Sequence, residues 1–135
     1  MSVGVLLVAH GRMGEELIAV VRSLLGRELP LPTRALSMPN DCDNGQALAQ
    51  AQAAIDALDG GDGVLVLTDL HGATPSNICG RLSALAGRLR RVSGLNLPML
   101  LRVQNYPAPG LDELAETAFA GGRNGIVMTA AAERP

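Results

Sequence analysis

The chain has 135 residues, 47% of them apolar, and a formal net charge of −2. That is one domain's length with room for a real core, and no apolar run nears the ~20 residues that a bilayer span needs. One Tyr, one Phe, no Trp and scattered charge leave no aromatic or basic platform for nucleic acid.

The opening VGVLLVA lacks the basic start and small-residue cleavage site of a signal peptide, so a cytoplasmic location is expected. Cys42 and Cys79 stand far apart without CxxC spacing and are expected as reduced thiols. The local basic cluster is Arg88, Arg90 and Arg91.

Residues 3–9 form a short apolar run that predicts a strand buried on both faces. Residues 14–25, GEELIAVVRSLL, place Leu17, Val20, Val21, Leu24 and Leu25 on one helical face, with Gly26 as the stop. TRALSM, residues 33–38, predicts a weaker second strand before Pro39. The Ala-rich stretch from Asn40 to Gly61 predicts a helix, with Asp41 and Asp43 as capping candidates. GVLVLT, residues 63–68, is a strand as clear as the first.

TPSNICGRLSALAG predicts a further helix, with Thr74 as N-cap and Pro75 at the first helical position, where a missing N–H costs nothing. RRVSGL (90–95) predicts a fourth strand, residues 97–105 and 110–120 two helices, and NGIVMTA (124–130) a last strand before a frayed tail at 131–135. Strands alternating with helices imply a single α/β domain over residues 1–135, with a mostly parallel, doubly wound sheet.

In such a sheet ligands collect at the carboxyl ends of the strands, where the strand order reverses. If the first and third strands are neighbours, their ends lie about 5 Å apart. His10 and Asp69 follow those ends. A carboxylate on one imidazole nitrogen fixes the tautomer, frees the other nitrogen as a nucleophile and stabilises the charge gained on attack. The helix start at Thr74 would offer N–H groups to a new anionic group, and Gly11 would keep the approach open. These parts fit phosphoryl transfer through a phosphohistidine.

Each residue also has a plainer use. His10 can be a hydrogen-bonded turn residue, Asp69 a turn or cap former, and Thr74-Pro75 an ordinary helix start. His71 can be a rim residue; Met13, Met38 and Cys79 can serve packing.

Three segments, VLLVAHGRMGEEL, GVLVLTDLHGATPSN and GLNLPMLL, resemble in order and spacing the IIA component of the mannose family of the bacterial phosphoenolpyruvate-dependent sugar phosphotransferase system. The similarity covers residues 3–129. It implies four parallel strands in the order 2-1-3-4, plus a C-terminal antiparallel strand (124–129) exchanged in a homodimer. It implies that His10 is phosphorylated by the histidine phosphocarrier protein with Asp69 as its carboxylate partner. Gly11, Gly72, Thr74 and Ser76 would then stabilise the phosphoryl group. Arg12, Met13, Met38 and His71 would face partner proteins, His71 standing where well-known members carry an aromatic residue.

No metal or cofactor is implied, and contact with a membrane is expected only through a transporter complex. The chain stops at Pro135, so the expected IIB acceptor is a separate protein; a purely regulatory phosphorylated module is the alternative. LLVAHGR is also similar to the start of metal-inserting chelatases, for which His10, His71, Asp69 and Cys42 would be the candidate ligands.

Overall fold

The computed structural model describes residues 2–38, 44–70 and 88–131. Its elements are β1 (Gly4–His10), α1 (Met13–Leu25), β2 (Thr33–Met38), α2 (Asn44–Leu58), β3 (Val64–Thr68), β4 (Leu89–Ser93), α3 (Leu97–Asn105) and α4 (Leu111–Asn124). The helix expected at 75–86 lies outside the described residues, as do Asp41, Cys42, Asp43 and Cys79.

The strands form one parallel sheet in the order β2-β1-β3-β4. The uninterrupted apolar character of β1 and β3 follows from cover on both faces. Because side chains alternate, Val5, Leu7, Leu65 and Leu67 enter one core with Ile18 and Val21 of α1, Leu100 and Val103 of α3 and Leu114 of α4. Leu6, Val8, Val64 and Val66 enter the opposite core with Ala47, Ala51 and Ile55 of α2. All eight of these strand residues are fully buried. β1 and β3 therefore lie at the centre, and the order reverses between them. Small residues let α1 close on the sheet: a Cβ at Gly14 would stand 3.1 Å from that of Ala35.

Three expectations change. β1 runs one residue further than expected, and His10 is its last member, paired in register with Met38. Met38 is 1% exposed and packs into the core under α2, so it offers no surface to a partner. Its place at the end of β2 is real, but its side chain points inward.

The third change is at the C-terminus. Gly121-Gly122, ordinarily a helix stop, is instead a contact surface: Cβ atoms there would stand 2.6 Å from Arg102 Cβ and 2.7 Å from Met99 Cε. α4 therefore continues to Asn124, where the reading from sequence alone stopped it at residue 120. Residues 126–130 belong to no strand within the described chain, and Ile126, Val127 and Met128 are exposed. The expected tail, 131–135, lies almost wholly outside the described residues.

One internal network was not foreseen. Gln104 of α3 is fully buried; its Oε1 accepts the Leu31 N–H at 3.1 Å and its Nε2 donates to Thr33 Oγ1 at 2.7 Å. These bonds fasten the entry of β2 to α3, and they satisfy a buried amide that would otherwise destabilise the core.

Candidate functional site

The site begins where the two central strands end. Register pairs Val8 with Thr68, so Asp69 comes one residue after that pair and His10 two. The His10 backbone N–H donates to Asp69 Oδ2 at 2.9 Å, and His10 Nδ1 lies 2.8 Å from the same oxygen. One carboxylate oxygen thus holds both the main chain and the ring of His10. Asp69 Oδ1 is buried and has no hydrogen-bond partner among the described residues.

The Asp69 side chain is 8% exposed and that of His10 34%. Burial is the largest influence on the Asp69 carboxyl and pushes its pKa up. The His10 N–H, the His10 ring and its charge, with the Leu70 amide, outweigh it and hold the group below its usual range. Asp69 is therefore an anion at neutral pH. An ionised carboxylate only accepts, so the bonding hydrogen resides on Nδ1. In the neutral ring the free lone pair is then on Nε2.

Neighbouring groups hold this geometry. Thr68 is fully buried; its hydroxyl donates to Ser93 Oγ at 2.9 Å, and its carbonyl accepts the Leu95 N–H at 2.9 Å. The end of β3, and with it Asp69, is braced against the end of β4. Sequence reasoning missed Thr68 and Ser93. The available signal was two hydroxyl residues ending neighbouring strands, which only the register brings into line.

Gly11 follows with φ +54°, and a Cβ there would meet nothing within 4 Å. The glycine is explained by the backbone turn, which a side chain would strain, and the space beside it is open. Arg12 and Met13 come next, and both are exposed. His71, Gly72, Thr74 and Ser76 lie outside the described residues. A cavity of about 320 Å³ lies between α3 and α4, and neither His10 nor Asp69 lines it. Among the described residues no three His, Cys, Asp or Glu side chains gather so as to hold a metal ion.

Comparison with known proteins gives this geometry a family. A family profile of the mannose EIIA type, described as the fructose IIA component of the phosphotransferase system, matches residues 4–119. The chain belongs to this IIA family. It is similar to the mannose/sorbose-specific IIA subunit of the phosphotransferase system from Enterococcus faecalis, with 29% identity, full coverage of both chains and a TM-score of 0.85. The phosphotransferase component EIIA from Streptococcus agalactiae, at 23% identity, shares the fold with a TM-score of 0.80 over 93% of this chain and 96% of that one. The mannose-specific EIIAB component of Escherichia coli K12 is 28% identical over 129 residues, 93% of this IIA chain. The match spans 39% of that relative's length. No helix among the described residues is long and apolar enough to cross a membrane.

Proposed function

We propose that this IIA chain is a cytoplasmic phosphoryl carrier: His10 takes a phosphoryl group from the histidine phosphocarrier protein and passes it to a IIB acceptor, in sugar uptake or its regulation. The observation that carries the proposal is the 2.8 Å contact between Nδ1 and Asp69 Oδ2, which leaves Nε2 as the nucleophilic nitrogen at a part-exposed edge. Attack by Nε2 places positive charge on the ring, and the adjacent carboxylate stabilises it. Where Gly72, Thr74 and Ser76 would act, they would donate hydrogen bonds to the phosphoryl oxygens from the stretch of chain that follows Asp69 in sequence.

The exposed segment Ile126–Met128 supports a homodimer in which that segment adds to the sheet of a second copy, covering apolar side chains and backbone groups that otherwise invite aggregation.

The test is phosphorylation by phosphoenolpyruvate, enzyme I and the phosphocarrier protein. The wild-type chain should take up one acid-labile phosphoryl group and His10→Ala none. Continued labelling of His10→Ala would falsify the assignment.

A further inference from the structure

The residue after Gly11 breaks three local rules together. Arg12 occupies the N-cap of α1 and makes no side-chain cap bond, where Ser, Thr, Asp or Asn would satisfy a free N–H. It puts a cation at the positive pole of the helix, where anions are favoured. Its ion pairs also run from arginine to glutamate along the chain, the weaker orientation at this spacing. Nη2 lies 3.3 Å from Glu16 Oε1 and 3.9 Å from Glu15 Oε2. All three side chains are at least half exposed, so the pairs are weak and easily exchanged.

Chains depart from local rules mainly where function compensates. A phosphoryl group on Nε2 would bring about two negative charges close to the ionised Asp69. In the described segments that directly follow β1, β3 and β4, Arg12 is the one cation. One residue, Gly11, separates it from His10, which keeps their Cα atoms within about 7.6 Å, inside the span of an arginine side chain.

We infer that Arg12 is a phosphoryl-binding residue of this site, held on Glu15 and Glu16 in the unphosphorylated chain and exchanged onto the phosphoryl oxygens as they reach His10. The inference rests on the carrier reading above. In the transfer, the donor P–N bond breaks with its electron pair returning to the donor ring. The Nε2 lone pair forms the new N–P bond, and the Nδ1 proton stays against Asp69. Arg12 changes no covalent bond; it trades carboxylate for phosphoryl oxygen, a charge-assisted contact it can make through two N–H groups.

Two donors separate phosphoryl binding from protein docking: the phosphorylated phosphocarrier protein, and phosphoramidate, which has no protein surface. Arg12→Gln should slow labelling of His10 about tenfold with both donors, and Arg12→Lys should restore part of the rate. The Arg12→Gln chain should melt no lower than wild type, since a cation leaves the helix N-terminus. Glu16→Gln, which loosens the shorter tether, should label at least as fast as wild type. Normal phosphoramidate labelling of Arg12→Gln would overturn the inference in favour of a docking role, and a slowed Glu16→Gln would overturn the tether. A wild-type chain that takes label from neither donor would instead overturn the carrier reading itself.

Discussion

Two aspartates, at opposite ends of β3, are held by opposite strategies. Asp59, at the amino end of the strand, accepts the Gly61 N–H at 2.9 Å and the Gly63 N–H at 3.2 Å on one oxygen and Arg88 Nε at 2.7 Å on the other. Asp69, at the carboxyl end, commits one oxygen to His10 twice and leaves the other unpartnered among the described residues. Both carboxyls titrate below their usual range. For Asp59 the Arg88 hydrogen bond is the main cause, and for Asp69 the His10 contacts overcome its burial. The amino end is closed: its charge is matched by a fixed cation and two amides. The carboxyl end is open, with its charge balanced by a ring that can gain positive charge of its own. The first arrangement stabilises the turn into β3, and the second ties the ends of β1 and β3 together while leaving the His10 ring part-exposed.

Substitution should separate the two ends. The largest effect is expected from Asp69→Asn, because the amide no longer fixes the Nδ1–H tautomer or stabilises the ring cation. Initial rates of phosphoryl uptake should fall about 100-fold while the far-ultraviolet circular dichroism stays native; an unchanged rate would remove Asp69 from the chemistry.

Asp59→Ala should behave in the reverse sense. Two backbone N–H groups and Arg88 lose their acceptor, and stability should drop by about 1–2 kcal/mol in denaturant titration. Uptake by the surviving folded chain should match wild type, and a slowed rate would mean that the two ends of β3 are coupled.

The smallest effect sharpens the comparison through pH. The folded Asp59 carboxyl titrates below its unfolded value of 3.8, so its contribution is fully present above about pH 4 and is lost as pH falls toward the folded value. The stability gap between wild type and Asp59→Ala should therefore be constant from pH 7 to 5 and narrow below pH 4. A gap that widens on acidification would contradict the sign of that shift.

The legible parts of this fold are those where one physical constraint dominates. β1 and β3 must be apolar throughout because helices cover both faces, and runs such as VLLVA and VLVLT have few other uses in a chain this short. Their carboxyl ends mark the crevice, and the only histidine in the first half of the chain stands there. The parts that were misread depend on neighbours distant in sequence. Met38 reads as a residue at a strand end, and only α2 packing over it decides that it is buried. Gly121-Gly122 reads as a helix stop until Met99 and Arg102 of α3 occupy the space a side chain would need. Gln104 carries no signal in the sequence, because its partners lie 73 and 71 residues away.

By itself the sequence determined the alternation of strands and helices and the candidacy of His10 with Asp69, because hydrophobic period and residue type are local properties; the parallel order 2-1-3-4, a non-local property, was implied only by the family resemblance. Only the tertiary structure decided that a single oxygen, Asp69 Oδ2, grips both the amide and the ring of His10, and that Thr68 and Ser93 brace it from behind. Hydrogen bonds need their partners within about 3 Å, and for residues 59 positions apart that proximity follows from strand register alone.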